Sequence, residues 1–275
     1  MAILNCNVPE SLLATLTETA GSMDGVSHVV TIALSQYLNQ PIHTLFQVST
    51  SGSLVAGIYS GAVSSRVILE HGDFGIGTFE NLDGEMVILD GHIYKVTGDG
   101  KVREASEDAA APFAVVTRFD PKLDIEIPPS ESLAVLTRQC DKYRTSNNIF
   151  YAFRLDGRFH RVQTRAVSPP KNHGRLVDAA KAQAEFEFAE IEGTLVGLWS
   201  PGFSSAFSIP GYHFHFISAD RQHGGHLLGC SSGKLRLRME ALTDFRLALP
   251  ENESFLKADL SKNSPDELKY SEEAH

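Results

Sequence analysis

Long apolar runs, cysteine and clustered positive charge are all scarce in this chain, and each scarcity excludes something. No stretch approaches the roughly 20 apolar residues of a membrane span. The N-terminus, MAILNCNVPESLLATLTETA, has no basic segment followed by an unbroken apolar one, so it does not read as a secretory signal. Cysteine occurs three times, at Cys6, Cys140 and Cys230. An odd, widely spaced set suits a reducing compartment better than a disulfide framework. A soluble, cytoplasmic protein is therefore expected. The formal charge is −10 with no run of lysine or arginine, which argues against a nucleic-acid or anionic-membrane partner. G-x-S-x-G, H-E-x-x-H and a Gly-rich phosphate loop are missing as well, and no repeat or coiled coil is visible.

What remains is 275 residues of ordinary globular composition, 42% apolar and 21% charged, enough for one large domain or two small ones. SHVVTIALSQYL is compatible with helix or strand. From HTLFQVSTSGSLVAGIYSG onward the pattern is of short strands broken by Gly and Ser. AVSSRVILEHG reads as a short helix stopped by Gly72. Asp90-Gly91, set between two apolar runs, predicts a two-residue hairpin, which a turn at Gly98-Asp99-Gly100 extends into a meander. Pro129 and Ser130 open a helix over SESLAVLTRQCDKYR. Asp156-Gly157 predicts a second hairpin. The Pro-rich SPPKNHG marks a boundary between a β-rich part, residues 1–170, and a second β part, residues 171–275, with a short helix near 174–182 and a polar, partly helical tail. The expected class is α+β, β-rich, with two mixed or antiparallel sheet subdomains and a few flanking helices.

GYHFHFISADRQHGGH, residues 211–226, holds four of the eleven histidines. On a strand, alternation sends His213 and His215 to one face and Phe214 and Phe216 to the other. The imidazoles then share a space with Cα atoms roughly 7 Å apart, a span one cation can bridge. The Gly-containing loop returns the chain so that His226 meets His215 across the hairpin. Three histidines with coordination positions left over resemble a catalytic zinc site more than a structural one. His223 sits in the turn, where its direction is poorly controlled, and is assigned to the surface. A cupin would place a glutamate a few residues after H-x-H, where this chain has Phe-Ile-Ser-Ala. In the first half Glu85 opens an apolar strand, an odd place for a charge unless it faces a polar cavity. Arg165 is either a surface residue or a guanidinium kept for a carboxylate.

LFQVSTSGSLVAGIYSG, LEHGDFGIGTFENLDGEMVILDG, TRAV, GTLVGLWSP and IPGYHFHFISADRQHGGHLLGC resemble, in content and order, segments of the acetolactate decarboxylases, from about Leu45 to beyond Cys230. The resemblance implies a zinc enzyme that converts 2-acetolactate to (R)-acetoin and CO2 through a metal-stabilised enediolate, as a homodimer. Carried over by motif, His213, His215 and His226 hold Zn2+. Glu85, Arg165 and a glutamate of the tail, Glu272, act on the substrate, with Glu273 the alternative register for the last. Two other classes stand beside this reading: a three-histidine zinc hydrolase, and a non-catalytic metal or small-molecule binding protein.

Overall fold

The ambiguous stretch around Val29 folds as helix. In the computed structural model, which describes residues 5–38, 42–169 and 183–261, it forms α2 (Met23–Tyr37), preceded by α1 (Glu10–Ala20). The chain divides into two compact units, Met1–Ile42 and His43–His275. The first is this helical pair.

The second unit carries the sheets. In chain order its elements are β1 (Thr44–Val48), α3 (Ser51–Val55), β2 (Val63–Ser64), α4 (Ser65–His71), β3 (Phe74–Thr78), β4 (Glu85–Leu89), β5 (His92–Val96), β6 (Val102–Glu104), β7 (Ala110–Ala111), β8 (Phe113–Thr117) and β9 (Leu123–Ile127). There follow α5 (Leu133–Asp141), β10 (Phe150–Ala166), β11 (Ala184–Ser200), β12 (Gly211–Ser218), β13 (Gly224–Leu242), β14 (Asp244–Ala248) and α6 (Glu253–Leu256). The fold is α+β and β-rich, as expected. One sheet has the order β14-β1-β8-β3-β4-β5-β6 and the other β10-β11-β12-β13-β9, while β2 and β7 pair alone. Strand β9 thus joins a sheet built from later strands, and β14 returns to lie parallel to β1.

Three apolar clusters define the layers. One holds Leu45, Ile76, Val87 and Leu89 of the first sheet with Ala152, Val196 and Ile217 of the second, so it lies between the sheets. Met86 and Ile88 point the other way, to a cluster that includes Ile68 of α4. Phe153, Phe214 and Phe216 likewise join Leu136 and Cys140 of α5 on the far side of the second sheet. Each sheet is therefore apolar on both faces, which explains its near-continuous hydrophobic runs. Cys140 and Cys230 are buried free thiols, and burial pushes both up to about 12.

The hairpin at Asp90-Gly91 forms, with Leu89 opposite His92 and φ of 53° and 81° at the two turn residues, the left-handed pair such a turn requires. Three other expectations need correction. The segment after β1 is helical at Ser51–Val55, because the Thr50 hydroxyl accepts from the Ser53 N–H at 3.2 Å and starts a turn of helix. Helix α5 begins at Leu133 and is capped by Ser132, whose hydroxyl accepts from the Val135 N–H at 3.3 Å, rather than starting at Pro129 and Ser130. Asp156-Gly157 is not a turn, and β10 runs straight through it. The Asp156 carboxylate is held by Arg154, Arg238 and Thr194 at 2.7–3.1 Å, so a residue that looks like turn chemistry is the centre of an ion network across three strands. The helix expected near 174–182 and the tail beyond 261 lie outside the described residues.

A second carboxylate yields a stability prediction. Glu240 has a fully buried side chain and accepts from the Asp120 N–H at 2.8 Å. Its other oxygen lies 2.8 Å from His43 Nδ1. The hydrogen bond to Glu240 raises the His43 imidazole above its ordinary value, burial opposes it, and Lys122 and Asp120 add smaller effects of opposite sign. A raised folded-state value means that the stabilisation is complete below the unfolded value of about 6.5 and is lost as pH rises through the folded one. Urea midpoints should accordingly fall with rising pH above about 6.5, and His43→Gln should flatten that slope. An unchanged slope in the variant would remove His43 from the account.

Candidate metal centre

Strand alternation settles the direction of each histidine. Phe214 and Phe216 belong to the outer cluster, which leaves His213 and His215 on the inner face. Across the hairpin His215 stands opposite His226. The three rings converge, with centroids 4.9–5.4 Å apart, and one nitrogen from each lies within 4.8 Å of the others. His213 Nε2 and His226 Nδ1 are 3.0 Å apart.

What orients His215 lies far from it in the chain, on β4. Its Nδ1 donates to the Met86 carbonyl at 2.8 Å, which fixes the tautomer and leaves a lone pair on Nε2. That Nε2 is buried with no hydrogen-bond partner among the described residues. An orphaned, lone-pair-bearing nitrogen facing two other imidazoles fits a cation, and a backbone carbonyl behind a ligating histidine is the usual outer support of a metal site. Burial, then the Arg165 charge, pushes the His213 imidazole down to about 3. His215 is held well below its ordinary value, by burial first and then by the charge of His213, against the opposing Met86 bond. Both shifts favour the neutral ring, the form a metal needs.

Glu85 opens β4 immediately before Met86, so one strand supplies both a carboxylate and the carbonyl that aims His215. Its Oε2 lies 3.8 Å from His215 Nε2, and the residue is 6% exposed. Arg165, 4% exposed, pairs in register with His226. It reaches the cavity because β10 carries an extra residue between Phe159, opposite Ser232, and Arg161, opposite Ser231, which breaks strict alternation. Gly225 makes room for this approach. Its φ is 133°, and a Cβ there would stand 2.5 Å from the Arg165 carbonyl oxygen, so no other residue fits without displacing β10.

The cavity is lined by the three histidines, Glu85, Arg165 and Thr78, and closed by Leu54, Leu82, Phe113, Val167 and Ile209. Its polar lining comes from both sheets, Glu85 and Thr78 from the first and Arg165 with the three histidines from the second. Five of the six expected site residues therefore meet in one place. Glu272 lies outside the described residues. His223 stands apart, with its ring against Phe188 at 4.7 Å between centroids. Thr78 and the apolar wall went unrecognised in the sequence, because nothing local distinguishes a strand residue that faces a cavity from one that faces core.

The chain from residue 45 to residue 262 matches the family described as alpha-acetolactate decarboxylase. This chain belongs to the alpha-acetolactate decarboxylase family. It is accordingly an enzyme of the decarboxylase class, a carbon–carbon lyase. Among similar family members, the alpha-acetolactate decarboxylase of Methylococcus capsulatus is 37% identical over 227 residues, 82% of this chain and 87% of that protein. The one from Methanosarcina mazei is 36% identical over 252 residues, 91% of this chain and 87% of the other. A solved alpha-acetolactate decarboxylase of Bacillus subtilis superposes with a TM-score of 0.81 at 33% identity, covering 84% of this chain and all of that one. The family match begins just beyond the first unit. No helix among the described residues is long and apolar enough to cross a membrane.

Proposed function

We propose that this enzyme decarboxylates 2-acetolactate to acetoin in the cavity between the two sheets, with zinc as its metal. The observation that carries the reading is the convergence of three imidazoles on a cavity that also holds a buried arginine and a buried glutamate. A divalent zinc ion held by His213, His215 and His226 would supply a Lewis acid for the ketone and hydroxyl oxygens of the substrate, with its full charge undiminished by thiolates.

The remaining chemistry belongs to side chains. Acetolactate carries a carboxylate and a hydroxyl on C2 and a ketone at C3. Arg165 receives the carboxylate through its planar donors and stays charged throughout. When the bond from C2 to the carboxyl carbon breaks, CO2 leaves and the electron pair moves onto the ketone oxygen, giving an enediolate. A proton must then reach C2 from one side, which sets the configuration of acetoin. Glu85 stands beside the histidines and can hold that proton. Glu272, or Glu273 in the neighbouring register, is the second acid of this proposal; family resemblance supports it. The apolar wall of Leu54, Phe113 and Ile209 suits the two methyl groups and keeps bulk water from the reacting carbon. An R product and a homodimer complete the reading. Chiral analysis of acetoin tests the first and sedimentation the second.

Arg165→Lys is the direct test. An ammonium keeps the charge but loses the two-pronged geometry, so kcat/KM for acetolactate should fall about 10²–10³-fold with zinc content unchanged. Near-normal turnover would return Arg165 to a structural role. The hydrolase alternative has a separate signature: a metal-dependent release of acid from simple esters, with no CO2 from acetolactate.

A further inference from the structure

Arg165 has a neighbour that the reaction itself does not call for. Its Nη1 donates to the side-chain oxygen of Gln183 at 3.0 Å, just before β11 begins. The other end of that amide is also held, as Gln183 Nε2 donates to Glu185 Oε1 at 3.4 Å. Glu185 lies opposite Arg165 in the β10–β11 register, and its second oxygen accepts from Gln163 Nε2 at 3.2 Å. We infer that Gln183 is a positioning residue for the guanidinium of Arg165, with Glu185 as the anchor that sets the amide's orientation.

The chemistry of the partners leaves one arrangement. A guanidinium only donates and an ionised carboxylate only accepts, so the amide between them must turn its oxygen to Arg165 and its nitrogen to Glu185. A reversed amide would present N–H to N–H and oxygen to oxygen. Gln183 thereby does what a carboxylate in its place could not. It restrains one N–H of Arg165 without adding a negative charge beside the substrate carboxylate. A glutamate at 183 would add that charge and repel Glu185. A leucine would keep the bulk and lose both bonds. The inference rests on Arg165 binding the substrate carboxylate, and it adds the residue that fixes how Arg165 does so.

The test uses the zinc-loaded full-length enzyme and two competing inhibitors. One is 2-hydroxy-2-methylpropanoate, which carries the carboxylate. The other is 3-hydroxy-3-methylbutan-2-one, a neutral hydroxyketone without it. Q183L should weaken the carboxylate inhibitor about tenfold and raise KM for acetolactate by a similar factor, while the hydroxyketone stays within about twofold. Q183E, nearly isosteric, should weaken the carboxylate inhibitor further still. Equal weakening of both inhibitors would mean a general distortion and overturn the assignment, as would no weakening of either in both variants. R165K separates the two layers. If it spares the carboxylate inhibitor, the reading of Arg165 fails and Gln183 loses its role with it. If R165K weakens that inhibitor and neither Gln183 variant does, the reading survives and only the positioning role is overturned.

Discussion

His215→Ala is expected to lose bound zinc and turnover of acetolactate together, the largest effect of any single change at the site. The reason is geometric. The tautomer of His215 is fixed by the main chain, through the Met86 carbonyl, and its other nitrogen is the buried orphan. Removing it leaves two imidazoles for an ion that takes three or four protein ligands. Elemental analysis of the purified variant should find far less than one zinc per chain, and added zinc should not restore activity at concentrations that saturate the parent. Chelation of the parent should abolish turnover, and readdition of zinc should return it. His223→Ala is the control, since that ring packs on Phe188 away from the cluster. Full activity in a metal-free preparation would end the zinc proposal. Loss of metal in the His223 variant equal to that in the His215 variant would show that the ligand set is wrongly drawn.

The second large effect is expected from the acids. Glu85→Gln keeps size and hydrogen-bonding capacity but cannot deliver a proton. A positioned acid contributes typically about 10²–10⁴-fold, so kcat should fall in that range while zinc stays bound. Removing residues 271–275 should produce a loss of similar size, with thermal stability nearly unchanged, because the strands of both sheets lie between Thr44 and Ala248. Glu272→Gln compared with Glu273→Gln decides the register. The informative readout is the optical purity of acetoin, since a proton arriving from solvent reaches either face of C2. A truncated enzyme that makes acetoin at the parental rate and optical purity would take the tail out of the mechanism and leave Glu85 as the acid.

Much of this centre was readable from sequence because its ingredients are local. Alternation along one strand puts His213 and His215 together, and a short polar loop makes His226 the facing residue. Both rules need only neighbours in the chain. The Asp90-Gly91 turn was readable for the same reason: the left-handed φ values it needs are a property of those two residues. Asp156-Gly157 shows where such rules stop. The dipeptide is equally turn-like, yet Arg154, Arg238 and Thr194 hold its carboxylate within the sheet, and Arg238 lies 82 residues away. A half-buried charge surrounded by donors overrides a local turn preference, and its donors cannot be read from its neighbours.

Taken by itself, then, the sequence determined the β-rich class, the hairpin with its three histidines and the family. Tertiary structure alone decided that β4 would bring Glu85 and the Met86 carbonyl to those histidines. It also decided that the extra residue in β10 between Phe159 and Arg161 would turn Arg165 inward and that an amide at Gln183 would meet it. The physical reason is range. Periodicity and turn chemistry act between adjacent residues, whereas the packing of one sheet on another joins residues far apart in sequence, and burial chooses their partners only once both sheets exist.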